Sequence, residues 1–487
     1  MVLCGGTAAI VLALRQDSDD IPGFEPNHAA IRISSDSDFT LENGVVGGSG
    51  TPQDPYIISG WDIVPAPLTG KPWNWDSAVD IRDTEAFFTV QEVRIKSSGE
   101  GDGILMVNAH NGMIKNCTVK VAGVAVHLLM CSMLNISGCD LGASDWPALW
   151  SYGSANISIR DSSLNSTFQG NGDRMTMYWP DSTMPTIRNC TIGGEVRLYN
   201  CSNGLVTDNC FEGARGGLVL EGTSNTSISR NVFEHRGISF SGGSIETEAD
   251  SYQDATTNTI SSDNMIGERR IECHAGESGV TVDGVDIGQI IIMNCTDVAV
   301  ANSAFTNSDS GILMVSCETI RISRCTATEC RMGIRLLLCS DIQLSDCDVT
   351  DNTAAGIAVV MCTNGNIFKN DIERTREFPQ TYISVEDAGW GLLLYNSGGI
   401  VVDHNNFVDN QIQAGDITVG EKNDWDAGYP WGGNFWSDYE GTDEFSGPGQ
   451  NLSGDDGIGD SKYQVAHENS DFWAYAVDNY PLMSRFD

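Results

Sequence analysis

Apolar and polar positions recur along the middle of this chain with a spacing of 22 to 23 residues. Three fifteen-residue stretches share one layout: GILMVSCETIRISRC from Gly311, GIRLLLCSDIQLSDC from Gly333 and GIAVVMCTNGNIFKN from Gly356. Each opens with Gly-Ile, has Cys at the seventh place and ends in Cys or Asn. Each contains two short apolar strands separated by a polar turn, and a third piece of variable length follows. A repeat of this length predicts a stacked solenoid.

Copies of the same layout extend in both directions from these three. They begin at Gly103, Ala125, Glu195, Gly217, Gln289 and Gly391, with weaker copies near Pro147 and Thr176. The strands are rich in β-branched residues and have no helical period, and the fixed Leu and Asn places of leucine-rich repeats are missing. The pattern therefore predicts an all-β fold, a right-handed parallel β-helix of roughly a dozen turns with a cap at each end.

In such a coil, equivalent residues of successive turns lie about 4.8 Å apart, so residues at one place of the repeat form a column. The seventh place holds Cys131, Cys201, Cys295, Cys317, Cys339 and Cys362, interrupted by Ala109, Thr223 and Ser397. The fifteenth place holds Cys117, Cys139, Cys190, Cys325 and Cys347, together with Asn209, Asn231, Asn370 and Asn405. We expect both columns to be structural ladders of small side chains.

The residue types explain what each ladder does. Cysteine is used as a small buried hydrophobe, and neither a Cys-x-x-Cys pair nor a Cys/His cluster with zinc spacing occurs. Free thiols are expected, although neighbours such as Cys317 and Cys339, or Cys325 and Cys347, have a spacing that a disulfide would also allow. An Asn at a sharp turn tolerates left-handed backbone and can bond to the Asn and the backbone of neighbouring turns.

The ends of the chain depart from the repeat. Residues 1–30 contain an apolar run without a basic start, as in a truncated signal or anchor, followed by an acidic linker. Residues 31–100 are expected to form the N-terminal cap and first turns, and residues 101–420 the repeats. Residues 421–487 form a Trp-, Gly- and Asp-rich C-terminal cap, whose four Trp could instead line a sugar-binding face.

The C-terminal segment also offers a candidate cation site. The stretch SGDDGIGDSKY places Asp455, Asp456 and Asp460 around two glycines. Closely spaced carboxylates on a tight loop suit Ca²⁺, so calcium is the one expected cofactor. The EF-hand spacing is not met, and a plain acidic turn is the alternative.

Charge narrows the choice of partners. The formal net charge of -39, from 66 acidic and 27 basic residues, argues against nucleic acid and against an anionic membrane surface. Contact with a membrane is expected only through an N-terminal anchor. Nine Asn-x-Ser/Thr sequons agree with an exported glycoprotein, although a repeat rich in Asn, Ser and Thr generates such triplets without any sugar.

Several motifs carry a family resemblance. NGVVGGSGTPQDPYIISGW near the N-terminus, the Asn/Cys-laddered turns, and GGNFWSDYEGTDE, DDGIGD and DNYPLM near the C-terminus resemble the NosD-type right-handed β-helix proteins that are abundant in archaea. The resemblance extends from about Ile31 to Met483 and implies a secreted or surface protein. The family name comes from a periplasmic factor linked to copper-site maturation of nitrous oxide reductase. With seven scattered His and no Met/His/Cys cluster outside the ladders, copper maturation is a minor alternative.

The long excursions between turns are where an enzyme of this fold would build a site. One excursion mixes basic, aromatic and acidic residues and is the candidate groove wall: Arg374, Arg376, Tyr382, Glu386 and Asp387. The leading hypothesis is nevertheless a non-catalytic protein, extracellular or at the cell surface, that binds glycans or partner proteins or forms part of the envelope. The alternative is an extracellular polysaccharide lyase, epimerase or hydrolase. Carboxylates converging with each other or with Arg in one groove would favour the enzyme.

Overall fold

A computed structural model describes most of the chain. The described residues are 21, 23–65, 77–99, 101–167, 169–170, 173–213, 216–240, 256–377, 388–418, 422–465 and 476–487. They form two units, Met1–Gly267 and Glu268–Asp487, called here the first and second units. In the described part of the chain the regular structure is strand, with short 3₁₀ turns at Asp36–Asp38 and Leu41–Asn43 and no helix that could cross a membrane.

The first unit stacks its strands into three sheets, one strand of each sheet per turn. The first sheet contains Ile31–Ile33, Ser77–Thr84, Asp102–Ala109, Val126–Leu129, Leu149–Tyr152, Asp173–Pro180, Glu195–Tyr199, Gly217–Glu221 and Gly237–Phe240, with Gln169–Gly170 at its edge. The second contains Val45–Gly47, Tyr56–Ser59, Phe88–Gln91, Gly112–Lys115, Ser132–Ser137, Ala155–Arg160, Thr186–Arg188, Leu205–Thr207, Ser227–Ser229 and Thr259–Ile260. The third contains Asp62–Ile63, Arg94–Lys96, Thr118–Val121, Asp140–Ala143, Ser163–Ser166, Thr191–Ile192, Cys210–Phe211, Val232–Phe233 and Met265–Ile266.

The second unit repeats this arrangement. Its first sheet contains Arg269–Ala275, Gln289–Met293, Ser310–Val315, Met332–Leu337, Ala355–Val360, Trp390–Tyr395 and Ile412–Ile417. Its second contains Thr281–Asp283, Thr296–Ala301, Glu318–Ser323, Ser340–Ser345, Thr363–Phe368 and Gly398–Asp403. Its third contains Ala304–Thr306, Thr326–Thr328, Asp348–Thr350, Asp371–Glu373, Asn406–Val408 and Phe435–Trp436. Two antiparallel ribbons follow, Phe445–Ser446 with Leu452–Ser453 and Tyr463–Gln464 with Val477–Asp478.

Strands of successive turns pair in parallel and in register, which confirms the predicted parallel β-helix. Ile312 pairs with Ile334, and Ile334 pairs with Ile357. All three side chains are fully buried inside the second unit. The strand Arg94–Lys96 already pairs with strands on both sides, so regular stacking begins ahead of the first clear copy of the repeat.

The glycine that opens each copy is explained by contact with the next turn. A Cβ on Gly311 would lie 2.9 Å from the carbonyl oxygen of Gly333, and one on Gly333 would lie 2.6 Å from that of Gly356. Backbone at this distance leaves no room for a side chain. The Gly-Ile start therefore combines a close approach of two turns with an inward apolar residue.

The asparagine column is a continuous hydrogen-bonded ladder. The Oδ1 of Asn405 accepts the backbone N–H of Asn370 at 3.1 Å, and its Nδ2 donates to the carbonyl of Ile367 at 2.8 Å. Asn405 donates its own backbone N–H to Asn434 one turn further on. Each Asn thus satisfies backbone groups that the interior of the coil would otherwise leave unpaired.

The left-handed backbone lies one residue earlier than the sequence predicts. Arg230, Lys369 and His404 have φ values of 52°, 58° and 56°. The asparagines that follow these residues keep ordinary backbone and turn inward. The left-handed residue comes first because the chain bends at the residue before the ladder position, and the side chain of the ladder residue then points into the coil.

The cysteines of the ladders are buried free thiols in this structure. Cys317, Cys339, Cys325 and Cys347 are each at most 2% exposed, and none of these four forms a disulfide. The sulfur of Cys362 accepts the backbone N–H of Cys339 at 3.3 Å, as an asparagine oxygen does in the other column. Cysteine suits these buried positions because its side chain is small and apolar and its sulfur is a weak hydrogen-bond acceptor.

The C-terminal aromatic residues close the second unit. Trp436 stacks on Phe407 with ring centroids 4.4 Å apart and on Tyr463 at 4.1 Å. Trp425 and Trp436 are each 1% exposed, so for these two residues the cap interpretation holds rather than a sugar-binding face. Asp478 accepts the indole N–H of Trp436 at 2.9 Å, and burial raises the pKa of Asp478 to about 7.

Candidate functional site

The outer face of the first sheet in the first unit carries a row of aromatic and charged side chains. Alternate residues of its strands are fully buried inside the coil, so the residues between them point outward. The pairing register aligns His127 with Trp150, Trp150 with Tyr178, and Tyr178 with Arg197 on successive turns. We call these four residues the outer row. Adjacent members are about one strand spacing, ~4.8 Å, apart at Cα.

Aromatic rings dominate one end of the outer row. The ring of Trp150 stacks on those of His127 and Trp146, with centroid distances of 5.3 and 5.7 Å, and meets Tyr178 edge-on at 5.7 Å. Trp146 is 42% exposed. Tyr152, which is 47% exposed, lies two residues beyond Trp150 on the same face. Trp146 and Tyr152 thus present flat apolar rings to solvent beside the half-buried ring of Trp150.

A buried carboxylate holds the histidine of the row. Nδ1 of His127 lies 2.9 Å from Oδ2 of Asp102, and Oδ1 of Asp102 accepts the backbone N–H of Val124 at 2.9 Å. His127 and Asp102 are 3% and 7% exposed. The contact fixes the orientation of the imidazole beneath the Trp150 ring.

The other end of the row combines an arginine with two carboxylates and a phenol. Arg197 donates to Glu195 at 3.0 Å, and its Nη1 lies 3.8 Å from Glu221. Burial raises the pKa of Glu221, and the charge of Arg197 opposes that rise. Burial also raises the pKa of Tyr178, with a further contribution from the charge of Glu221. These groups could hold or transfer a proton beside a fixed positive charge.

The candidate groove from the sequence is described only in part. Arg374 donates through Nε and Nη2 to the two carboxylate oxygens of Asp351, both at 2.8 Å, and also pairs with Glu373. Arg376 donates to the backbone carbonyls of Thr375 and Asp409. The other three residues of that prediction, Tyr382, Glu386 and Asp387, lie outside the described residues.

The predicted calcium residues stabilise backbone turns. Asp460 accepts the backbone N–H groups of Glu444 and Phe445 at 2.8 and 3.0 Å, and these contacts hold its pKa below the usual value. Asp456 accepts from Gly447, while Asp455 is exposed. Throughout the described ranges, no group of three or more His, Cys, Asp or Glu side chains could hold a metal ion. Calcium binding stays a prediction.

The asparagines of the nine sequons share an exposed position. They are Asn116, Asn135, Asn156, Asn165, Asn189, Asn200, Asn225, Asn294 and Asn451. Four of them directly precede a ladder cysteine and adopt left-handed backbone: Asn116, Asn189, Asn200 and Asn294. These four therefore have a structural reason to be Asn, and glycosylation stays a prediction.

The sequence did not identify the outer row, although it contained a signal. In the copies that begin at Ala125 and Glu195, the third place holds His127 and Arg197, whereas it holds Leu313 in the copy from Gly311. The third place points outward, and since Arg335 also occupies it in the copy from Gly333, the signal is a run of polar or aromatic residues on successive turns rather than one charged residue. Recognising this required the pairing register.

Two family models match the chain. Residues 247–441 match the model of NosD, described as a periplasmic copper-binding protein, and residues 102–287 match the model of the right-handed beta helix region. Together the matches extend from residue 102 to residue 441. No curated protein sequence matches the chain.

The described residues do not fit the copper site that the NosD description implies. The first reason is that the described residues contain no group of three metal ligands. The second is that the cysteines in the seventh-place column of the second unit are thiols whose S–H groups donate to backbone carbonyls, as Cys339 does to Leu337 at 3.2 Å. Burial raises the pKa of Cys339 well above its ordinary value. A copper ligand must be a thiolate, so these sulfurs are poorly suited to the metal.

Solved structures with some likeness to the chain include several β-helix proteins. The A-module of the Azotobacter vinelandii mannuronan C-5 epimerase AlgE6 shares 12% identity over 77% of this chain and 87% of that chain, with a TM-score of 0.27. The periplasmic alginate epimerase AlgG shares 10% over 82% and 84%, with a TM-score of 0.24. The Dettilon tailspike protein shares 11% over 75% and 58%, with a TM-score of 0.22. No likeness of function follows at these values. The observed coil and the two family matches together show that the chain is a NosD-type right-handed parallel β-helix repeat protein.

Proposed function

We propose that this protein is an exported, non-catalytic β-helix that binds a polysaccharide along the outer row of its first unit. The observation that carries the proposal is the pair of exposed aromatic rings at Trp146 and Tyr152 beside the half-buried ring of Trp150. The C–H faces of sugar rings pack on aromatic rings, and the polar edges of Tyr and Trp bond to hydroxyl groups. Side chains repeated at the strand spacing suit a linear polymer lying along the row.

Two further observations support export and a location at the cell surface. The description of the NosD family includes the word periplasmic. The asparagines of all nine sequons are exposed, and the acidic net charge of -39 keeps the protein soluble outside the cell. A purely structural role in the envelope is the outcome if no polymer is retained.

Affinity electrophoresis through gels that contain neutral or acidic polysaccharides tests the proposal. We expect one or more polymers to retard the protein, and Trp150→Ala to weaken that retention about tenfold, equivalent to about 1.4 kcal/mol. Trp431→Ala is the matched control, because Trp431 is 70% exposed and belongs to the C-terminal segment. Equal retention of the two variants would remove the outer row as the binding surface.

A second candidate, an extracellular lyase or epimerase, is favoured by one specific observation. Arg197 lies between Glu195 and Glu221, with Tyr178 on the neighbouring turn. Proton abstraction beside a uronate needs a base and a positive charge that neutralises the carboxylate. In a lyase step the Glu221 carboxylate would take the proton from C5 of the uronate, the glycosidic C4–O bond would break as the C4–C5 double bond forms, and the Tyr178 hydroxyl would protonate the departing oxygen. Arg197 would neutralise the sugar carboxylate.

Turnover separates the two candidates. The protein is incubated with uronate polymers with and without Ca²⁺, while unsaturated-uronate absorbance, new reducing ends and C5 inversion by NMR are followed. We expect no turnover. Turnover that Tyr178→Phe abolishes would make the protein an enzyme, and turnover that is unchanged in this variant would place the chemistry elsewhere.

A further inference from the structure

A second groove in the first unit lies where each turn leaves the second sheet. It is open to solvent, has a volume of about 460 Å³ and is lined by Arg160, Asp161, Arg188, Asn189 and Asp208. Arg160 and Arg188 are register partners on adjacent strands, so their Cα atoms are about 4.8 Å apart. We call this site the arginine groove.

The acidic residues of the groove already have partners. Asp208 accepts from Nε of Arg230 at 2.6 Å and lies 3.5 Å from Nε of Arg188. The hydrogen bond from Arg230 holds the pKa of Asp208 below its usual value. Asp161 accepts the side-chain N–H of Asn189 at 2.7 Å. Three guanidinium groups therefore face two carboxylates.

One arginine of the groove has no internal partner. Within the described part of the chain, the exposed side chain of Arg160 makes neither an ion pair nor a hydrogen bond. Its neighbour Arg188 is 61% exposed and makes only the long contact to Asp208. The guanidinium donors of two register-paired arginines are thus largely open to solvent. A planar guanidinium matches the two oxygens of a carboxylate or sulfate.

Two solvent-exposed arginines side by side are unexpected in a chain with a net charge of -39, although Asp263 lies beside Arg230. The distant acidic residues oppose an anion only weakly, because charges more than about 8 Å away are screened at physiological ionic strength. Direct contact with two guanidinium groups is much less affected. A polymer with one charge per sugar also meets less repulsion than DNA, which carries one charge per ~1.7 Å.

We infer that the arginine groove binds carboxylate or sulfate groups carried by a polysaccharide. This inference rests on the proposed glycan-binding function and narrows its ligand to acidic glycans. Arg160 and Arg188 form the anion contacts, and Arg230 acts as a positioning residue, because its 2.6 Å hydrogen bond to Asp208 is shorter than the 3.5 Å contact between Asp208 and Arg188. The column of the second sheet continues from Arg188 to Thr207 and Ser229, whose hydroxyls are 3.0 Å apart, and the buried Thr207 hydroxyl also accepts from Arg230.

The test compares one polymer with and without its charge. Binding of the intact protein to immobilised polygalacturonate, fully methyl-esterified polygalacturonate and dextran sulfate is measured by biolayer interferometry in 50 and 300 mM NaCl. We expect the double variant R160Q/R188Q to lose at least tenfold affinity for polygalacturonate and to bind the ester unchanged. R321Q/R324Q is the matched control, since both arginines are exposed, Arg321 on the second sheet of the second unit and Arg324 directly after its strand.

Each other outcome has a defined meaning. Equal binding of both polygalacturonate and dextran sulfate by R160Q/R188Q and the control would overturn the inference, as would equal loss on the methyl ester. If the intact protein binds no acidic polymer but binds a neutral one through Trp150, the inference fails and the proposed function survives. If it binds neither, both fail. Loss on dextran sulfate alone would assign the groove to sulfate rather than carboxylate. Matched thermal unfolding midpoints show that the variants are folded.

Discussion

The outer faces of the first sheet differ sharply between the two units, although the backbone beneath them is the same. In the first unit this face presents the outer row, with its aromatic rings and its arginine, between the buried Leu105 and Val219 of the neighbouring turns. In the second unit the equivalent column holds Leu313, Ala358 and Leu393, each at most 1% exposed. Arg335, which is 5% exposed, is the exception.

The inward faces show no such difference. Both units place β-branched and leucine side chains inside, and both contain the asparagine ladder, Asn209–Asn231–Asn264 in one and Asn370–Asn405–Asn434 in the other. Inward side chains must pack in the same geometry on every turn, whereas an outward side chain is constrained only by the groups it contacts. Function in a β-helix of this kind is therefore to be sought where the outward residues differ.

The largest expected effect tests the shared interior. Asn405→Ala removes the acceptor of the Asn370 backbone N–H and the donor to Ile367, leaving buried groups unpaired. We expect a loss of about 3 kcal/mol in the free energy of unfolding, and a similar loss for Asn231→Ala. Urea unfolding of both variants measures it. If only one of the two variants loses stability, the interiors of the two units are not equivalent.

A smaller effect tests the contrast between the outer faces. Leu393→Ala removes a fully buried side chain of the second unit and should cost about 2 to 3 kcal/mol, with polysaccharide retention unchanged. Trp150→Ala should do the reverse, lowering retention with a smaller loss of stability. Measuring unfolding and gel retention on both variants tests this pairing. If the Leu393→Ala variant is fully folded but is no longer retained by the polysaccharide gel, the second unit also binds the polysaccharide.

The smallest effect for a single step of the measurement concerns pH. The folded pKa of Asp478 is about 7, above its ordinary value of 3.8, so the native state keeps a proton that the unfolded chain releases. Its contribution to stability is therefore complete below pH ~3.8 and declines as the pH rises toward 7, by at most about 1.4 kcal/mol per pH unit. In Asp478→Asn this dependence should vanish, while Asp455→Asn, at an exposed site, should keep it. Urea unfolding midpoints measured over a pH series test this prediction. If stability falls with pH as steeply in Asp478→Asn as in the parent protein, Asp478 is not the group responsible.

Much of the fold could be predicted from residue pattern because each turn imposes the same local demands. The opening glycine of each copy, the small residue at the seventh place and the Asn or Cys at the fifteenth all report contact with a neighbouring turn. The left-handed residue was placed one position too late, because Asn is common both at such turns and in the ladder. The candidate groove and the calcium loop rested on residue types alone, and nothing in the described residues converts them into sites.

The sequence by itself determined the period, the parallel coil and the identity of the inward residues, because alternation along a strand and repetition between turns can both be read from neighbouring letters. Only the tertiary structure decided which outward residues meet. Arg160 and Arg188 are 28 positions apart rather than 22, and Arg197 lies between two glutamates that are 26 positions apart. Excursions of variable length change the separation along the chain, while backbone hydrogen bonds keep the register in space, so vertical neighbours are set by strand pairing rather than by counting residues.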